Sequence, residues 1–150
     1  MTRAPFQVLV LPYAVGANDE ILYGVFQRDQ STGGYWQALA GGGEADETPI
    51  EAAQREAEEE AGIPADRTMV PLETRTSIPT EHFPEAEWAD EVDVVPEYAF
   101  AVRVDPEAVR LSDEHADHRW VPYEEARELV RWDSNRTALW ELHRRLSRER

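Results

Sequence analysis

Residues 41–63 read GGGEADETPIEAAQREAEEEAGI, a glycine loop, a helix and a glycine stop. Thr48 is placed to cap the helix and Pro49 suits its first position. Glu51, three residues after Thr48, completes a capping box in which side chains and backbone N–H groups satisfy each other. Gly62 offers the left-handed residue that ends such a helix, and Pro64 keeps it from resuming. At about 100° per residue, Ile50, Ala53, Ala57 and Ala61 fall on one narrow apolar stripe. Because that stripe is mostly Ala, the helix can lie close against its cover. Glu56, Glu59 and Glu60 stand at i, i+3 and i+4 on the flank beside it, while Glu51 and Glu58 point away.

Three carboxylates on one flank repel each other, so the fold gains nothing from placing them there. Such a flank is either a solvated acidic face or a set of oxygens for a hard divalent cation such as Mg²⁺ or Mn²⁺. The spacing bears on the choice. Gly41, five residues, Glu47, seven residues, Arg55-Glu56-Ala57, one residue, Glu59-Glu60, one residue and Gly62-Ile63 together resemble the signature of the Nudix hydrolases. Two positions depart from it: Ala57 stands where a larger aliphatic is usual, and Asp46 where a Gly often precedes the Glu.

The resemblance implies a Nudix-type α/β/α sandwich with a mixed sheet and the loop-helix of the box. It implies an enzyme, a pyrophosphohydrolase acting on acid anhydrides in phosphorus-containing groups. By the same resemblance Glu47 and Arg55 brace the loop-helix unit. Glu56, Glu59 and Glu60 are the catalytic and metal-holding residues, with Mg²⁺ or Mn²⁺ as cofactor, and Gly41 and Gly42 border the substrate. The chemistry has a physical basis: an anionic pyrophosphate is repelled by bare carboxylates, and a cation among them reverses the local field.

Composition narrows the function classes. At 150 residues and 17.1 kDa the chain is expected to be one domain, residues 1–150, with a core of its own. It has no Cys, which removes disulfides, thiol nucleophiles and thiolate metal sites. A net charge of −16 argues against binding nucleic acid polymers or anionic membranes. The first residues lack a span-length apolar run and a signal-cleavage pattern, so a cytoplasmic location is expected. The expected partner is a small-molecule pyrophosphate substrate, bound by a monomer or homodimer.

In chain order, residues 6–11 read as a buried strand bounded by Pro12, and residues 21–28 as a second strand in hairpin with it. Residues 35–39 form a short strand feeding the glycines. Residues 69–76 and 98–104 read as strands. The stretch 80–97, rich in acids and without Lys or Arg, reads as a long loop or hairpin tip near the cleft, or as a solvated excursion. Residues 119–121 form a further strand and 124–130 a helix. Ser134 is placed to cap a last helix carrying Leu139, Leu142 and Leu146 on one stripe.

Three short matches outside the box resemble the bacterial dihydroneopterin triphosphate pyrophosphohydrolases within that family. They are Tyr35-Trp36-Gln37, Glu114-His115 followed by Trp120, and Trp132-Asp133-Ser134-Asn135-Arg136. The resemblance implies dihydroneopterin triphosphate as substrate, a step of folate biosynthesis, with the monophosphate and pyrophosphate as products. It implies that Glu114 reaches the catalytic metal site from an opposing loop, and makes Trp36, Asn135 and Arg136 candidate substrate-binding residues. The aromatic residues either stack on a pterin or purine ring or belong to the core. His115 reads as a hydrogen-bonding loop residue. Pro79, sixteen residues after Ile63, resembles the ADP-ribose pyrophosphatases instead, so ADP-ribose and nucleoside triphosphates stay open as substrates. A ligand-sensing Nudix-like module is a further class, although such domains usually lose box acids and this chain keeps them.

Overall fold

The computed structural model describes residues 2–113 and 115–149; Glu114 lies outside the described residues. Among these, seven strands build one mixed sheet. The first strand, β1 (Arg3–Val15), is its spine. It pairs in parallel with β6 (Val94–Arg103) on one side. On its other side it pairs antiparallel with β4 (Leu39–Glu44) as far as Val10 and with β2 (Ile21–Arg28) from Tyr13. The strand therefore runs past Pro12, which the sequence suggests as its end. Pro12 falls at the handover between β4 and β2, where that side of the ladder has no partner.

Strands β1 and β2 meet only near their hairpin and then splay apart. The gap is filled by β3 (Trp36–Gln37), which pairs with β2, and by β4, which pairs with β1. Ala38 is the break between them. Beyond β6 lies β5 (Met69–Pro79), its hairpin partner, and β7 (His115–Val121) pairs with the far side of β2.

Alternation along β1 explains why residues 8–11 are apolar without a break, since both faces are covered there. Val8 and Val10 pack with Phe100 and Val102 beneath α1 (Pro49–Ala61), whereas Leu9 and Leu11 pack with Ala99 and Ala101 beneath α2 (Tyr123–Leu129) and α3 (Asp133–Arg148). The result is the expected α/β/α sandwich.

The start and stop of α1 are as the sequence dictates: Thr48 caps it in a reciprocal box with Glu51, and Gly62 is left-handed at φ 67°. Its buried face is Ala52, Ala53, Ala57 and Ala61, with no exposed surface on any of them. Ile50, expected on that stripe, is 38% exposed because it precedes the part of the helix lying over the sheet. The glycines are a second correction. They belong to β4 rather than to a loop, and the turn proper is confined to Ala45 and Asp46. Asp46 takes φ 71°, a left-handed conformation that Asp tolerates better than most residues. Ser134 does not cap α3, whose N-cap is Trp132.

The acidic stretch after β5 is a hairpin tip folded back over the start of β1. Phe83 is buried, the Arg3 guanidinium lies over its ring, and the Trp88 indole N–H donates to the Arg3 carbonyl.

Candidate active site

Arg55 is the centre of the box. Its Nε donates to Glu47 Oε2 at 2.7 Å and an Nη donates to Glu47 Oε1 at 3.0 Å, a two-point clasp. That second Nη also donates to the Gly42 carbonyl at 2.8 Å. The other Nη reaches Glu56 Oε1 at 2.9 Å and Glu59 Oε2 at 3.2 Å. Glu47 in turn accepts the Glu44 N–H, so strand, turn and helix are tied through one guanidinium. The Arg55 hydrogen bonds hold the Glu47 carboxyl below the usual carboxylate range, and Glu47 above all raises Arg55.

Glycine at position 41 follows from packing. A Cβ there would overlap the Glu56 carboxylate, which lies against the bare strand. Burial first, and then the neighbouring Glu60 carboxylate, push Glu56 up to about 7 against the opposing pull of Arg55. The three glutamates of the flank are unlike in exposure. Glu59 is open to solvent, Glu56 is mostly covered, and Glu60 is buried with its Oε1 3.3 Å from His115 Nε2. His115 is thus a buried strand residue packed against Phe26, not the loop residue the sequence suggests.

The box opens on a cleft of about 780 Å³ whose lining includes Gln7, Gln37, Gly41, Gly42, Glu56 and Glu97. Arg3 and Arg28 also face it, which gives a strongly acidic chain a local pair of cations. A second concavity of about 650 Å³, toward the other end of β1 near Arg67 and Arg103, contains no box residue.

The donor set offered by Glu56, Glu59 and Glu60 is all hard oxygen, the kind suited to Mg²⁺ or Mn²⁺. Of the three, Glu56 lies at the glycine strand and the mouth of the cleft, the place where a cation would meet an anionic ligand. Among the described residues no three acidic or His side chains converge as a ready-made cage. Arg55 engages one oxygen of Glu56 and one of Glu59. The fit is therefore one of donor chemistry and place.

The substrate-binding candidates divide. Gly41 and Gly42 line the cleft. Trp36 does not: β-strand alternation sends Tyr35 and Gln37 inward and turns Trp36 to the other face, beneath the Arg119 guanidinium. Asn135 borders the cleft, yet its buried Oδ1 accepts the Ala38 N–H at 2.7 Å and so pins the break between β3 and β4. Arg136 is committed to the Val130 carbonyl and Asp133, away from the cleft wall. Phe83 and Glu97, from the stretch the sequence places near the cleft, do line it, and so does Gln7; the sequence singles out none of the three as a site residue. Two of them were findable: Gln7 and Glu97 are single polar residues at the ends of apolar strand runs.

The NUDIX domain family matches residues 13–142. The crystal structure of a NUDIX hydrolase from Listeria monocytogenes is similar at 40% identity and TM-score 0.86, covering 97% of each chain. A dihydroneopterin triphosphate diphosphatase from Haemophilus influenzae is 30% identical over 88% of this chain and 83% of its own length. An octanoyltransferase from Myxococcus xanthus is 34% identical over 85% of this chain, which spans only 36% of that protein.

Proposed function

The chain belongs to the Nudix family of pyrophosphohydrolases, and from that premise we propose that it hydrolyses a pyrophosphate bond in dihydroneopterin triphosphate, releasing the monophosphate and pyrophosphate. The observation that carries the reaction class is the Glu56 carboxylate lying against Gly41 at the mouth of a cleft that also presents Arg3 and Arg28. The likeness to the Haemophilus enzyme supports the choice of substrate.

In this reading Glu56, Glu59 and Glu60 would hold Mg²⁺ or Mn²⁺, joined by Glu114 from the segment before β7. The ion supplies charge neutralisation and a more acidic water. The protein's own contribution is placement. Arg55 fixes the turn and helix relative to β4, His115 sets the orientation of Glu60, and Arg3 and Arg28 attract phosphate oxygens. Gly41 leaves room for the Glu56 carboxylate against the strand and Gly42 for the Arg3 guanidinium, so both charged groups are held where the substrate enters. The reading implies a small-molecule partner and a cytoplasmic enzyme built from a single domain.

A panel of dihydroneopterin triphosphate, nucleoside triphosphates, ADP-ribose and dinucleoside polyphosphates, assayed with Mg²⁺ and with products identified, tests it. Dihydroneopterin triphosphate should have the highest kcat/KM. Preference for ADP-ribose would replace the substrate, and nucleotide binding without turnover of any member would replace the enzyme by a sensor.

A further inference from the structure

Gly42, Gln7, Glu97 and Thr76 are register partners across four strands, so their side-chain positions share one face of the sheet. Two residues further along β1 and β6 that face carries Leu9 and Ala99, in the core beneath α3. The row itself lies beside Ser134, at the beginning of that helix, and opens into the cleft.

Two members of the row are out of keeping with a sheet interior. Gln7 is 8% exposed and Glu97 9%. A carboxamide and a carboxylate so buried are costly unless hydrogen bonds compensate. Ser134 supplies Glu97 with one side-chain hydrogen bond, although a carboxylate has room for about four. The Gln7 carboxamide makes no hydrogen bond to another described residue, and it faces the cleft.

Around this polar floor the walls are flat and apolar. The Trp132 indole is fixed by its N–H donating to Gln37 Oε1 at 3.1 Å, with Tyr35 set edge-on to it at 5.3 Å. Phe83 closes the other side beneath Arg3. Aromatic walls over a hydrogen-bonding floor suit a planar heterocycle.

We propose that Glu97 and Gln7 select the ring of the substrate as one carrying a 2-amino-4-oxo edge, as guanine and pterin do. This rests on the reading of the cleft as a nucleotide-like pyrophosphate site. The Glu97 carboxylate accepts the adjacent ring N–H and exocyclic amino group, and the Gln7 amide donates to the keto oxygen. Adenine presents a lone pair where Glu97 requires an N–H, so it is repelled. The row is also at a workable distance from the reacting phosphates. Glu97 is two strands from Gly42, about 10 Å at ~4.8 Å per strand, leaving room for a sugar or side chain between the ring and the box.

Titration calorimetry of the full chain with GMP and with AMP, beside turnover of GTP and ATP with Mg²⁺, tests the assignment. Wild type should bind GMP at least ~10-fold more tightly than AMP, since a site built around a substrate N–H rejects a ring lacking it. Glu97→Gln keeps the shape but turns one acceptor into a donor. It should weaken GMP binding ~10- to 100-fold and tighten AMP binding, because the carboxamide N–H can donate to the adenine lone pair that the carboxylate repels. Gln7→Leu preserves volume and should cost GMP ~10-fold; it decides the matter if Glu97→Gln does not fold. Equal binding of GMP and AMP by wild type, or a preference that survives both substitutions, overturns the proposal. A chain that hydrolyses no pyrophosphate yet loses GMP discrimination in Glu97→Gln would refute the proposed activity and leave this assignment standing.

Discussion

Replacing Arg55 by Ala removes the guanidinium that joins Glu47, Glu56, Glu59 and the Gly42 carbonyl. The cost follows from what is left behind. Glu47 and Glu56 keep 18% and 13% of their side-chain surface in solvent, so neither is fully rehydrated when its partner goes. Exposed ion pairs contribute about 0.2–1 kcal/mol, and stripping one partner from a buried pair costs about 3–5 kcal/mol. With Arg55 itself 20% exposed, water screens part of the effect, and the loss should lie between, at about 2–3 kcal/mol. For a chain of this size that lowers Tm by about 5–10 °C. Thermal and urea unfolding of Arg55→Ala, Glu47→Gln and the double variant provide the measurement, with kcat followed in parallel. The two substitutions should be strongly non-additive, because they remove the same clasp. Normal melting of Arg55→Ala, or simple additivity with Glu47→Gln, would refute the bracing argument.

Gly41→Ala should melt within a few degrees of wild type but lose ~10²-fold in kcat, because only the mobile end of Glu56 has to move and its placement is what the reaction uses; full activity would show that the Glu56 position is immaterial. Chelation should abolish turnover. Glu59→Gln, Glu60→Gln and Glu114→Gln should each lower kcat by at least ~10²-fold, with Glu58→Gln and Asp113→Asn as near-neutral comparisons; equal losses in the comparisons would contradict the ligand assignment. Burial alone would raise the Glu141 carboxyl. The N–H groups of Glu73 and Thr74, the Thr74 hydroxyl and the charge of Arg145 outweigh it and hold the group below its usual range. A depressed carboxyl contributes stability that is complete above its unfolded value of about 4.3 and lost as pH falls through the folded one. Glu141→Gln should therefore be less stable than wild type at pH 7, and the gap should close on acidification through that window; a gap independent of pH would exclude the linkage.

The box helix was legible almost to the residue, because capping, Ala spacing and the glycine stop are local chemistry that needs no partner. Trp36 shows where reading by motif stops short. Its neighbours Tyr35 and Gln37 match the same pattern, but which of the three enters the cleft depends on the phase of a two-residue strand. That phase is set by pairing with β2. Gln7 and Glu97 escape for a related reason. They become neighbours only through the parallel pairing of β1 with β6, across ninety positions of sequence. His115 is set by the same kind of long-range pairing, in this case of β7 with β2.

The single hydrogen bond from Ala38 to Asn135 has a temporal meaning as well as a structural one. It joins residues 97 positions apart, and it fixes the strand that carries the glycines past Glu56. Contacts of that separation form late, after most loop-closure entropy has been spent. A partly synthesised chain can contain the whole box, with the glycine strand paired to β1, and still lack the pin at Ala38 that the last helix supplies. Catalytic competence should thus arrive with docking of the last helix, making activity a report on complete folding.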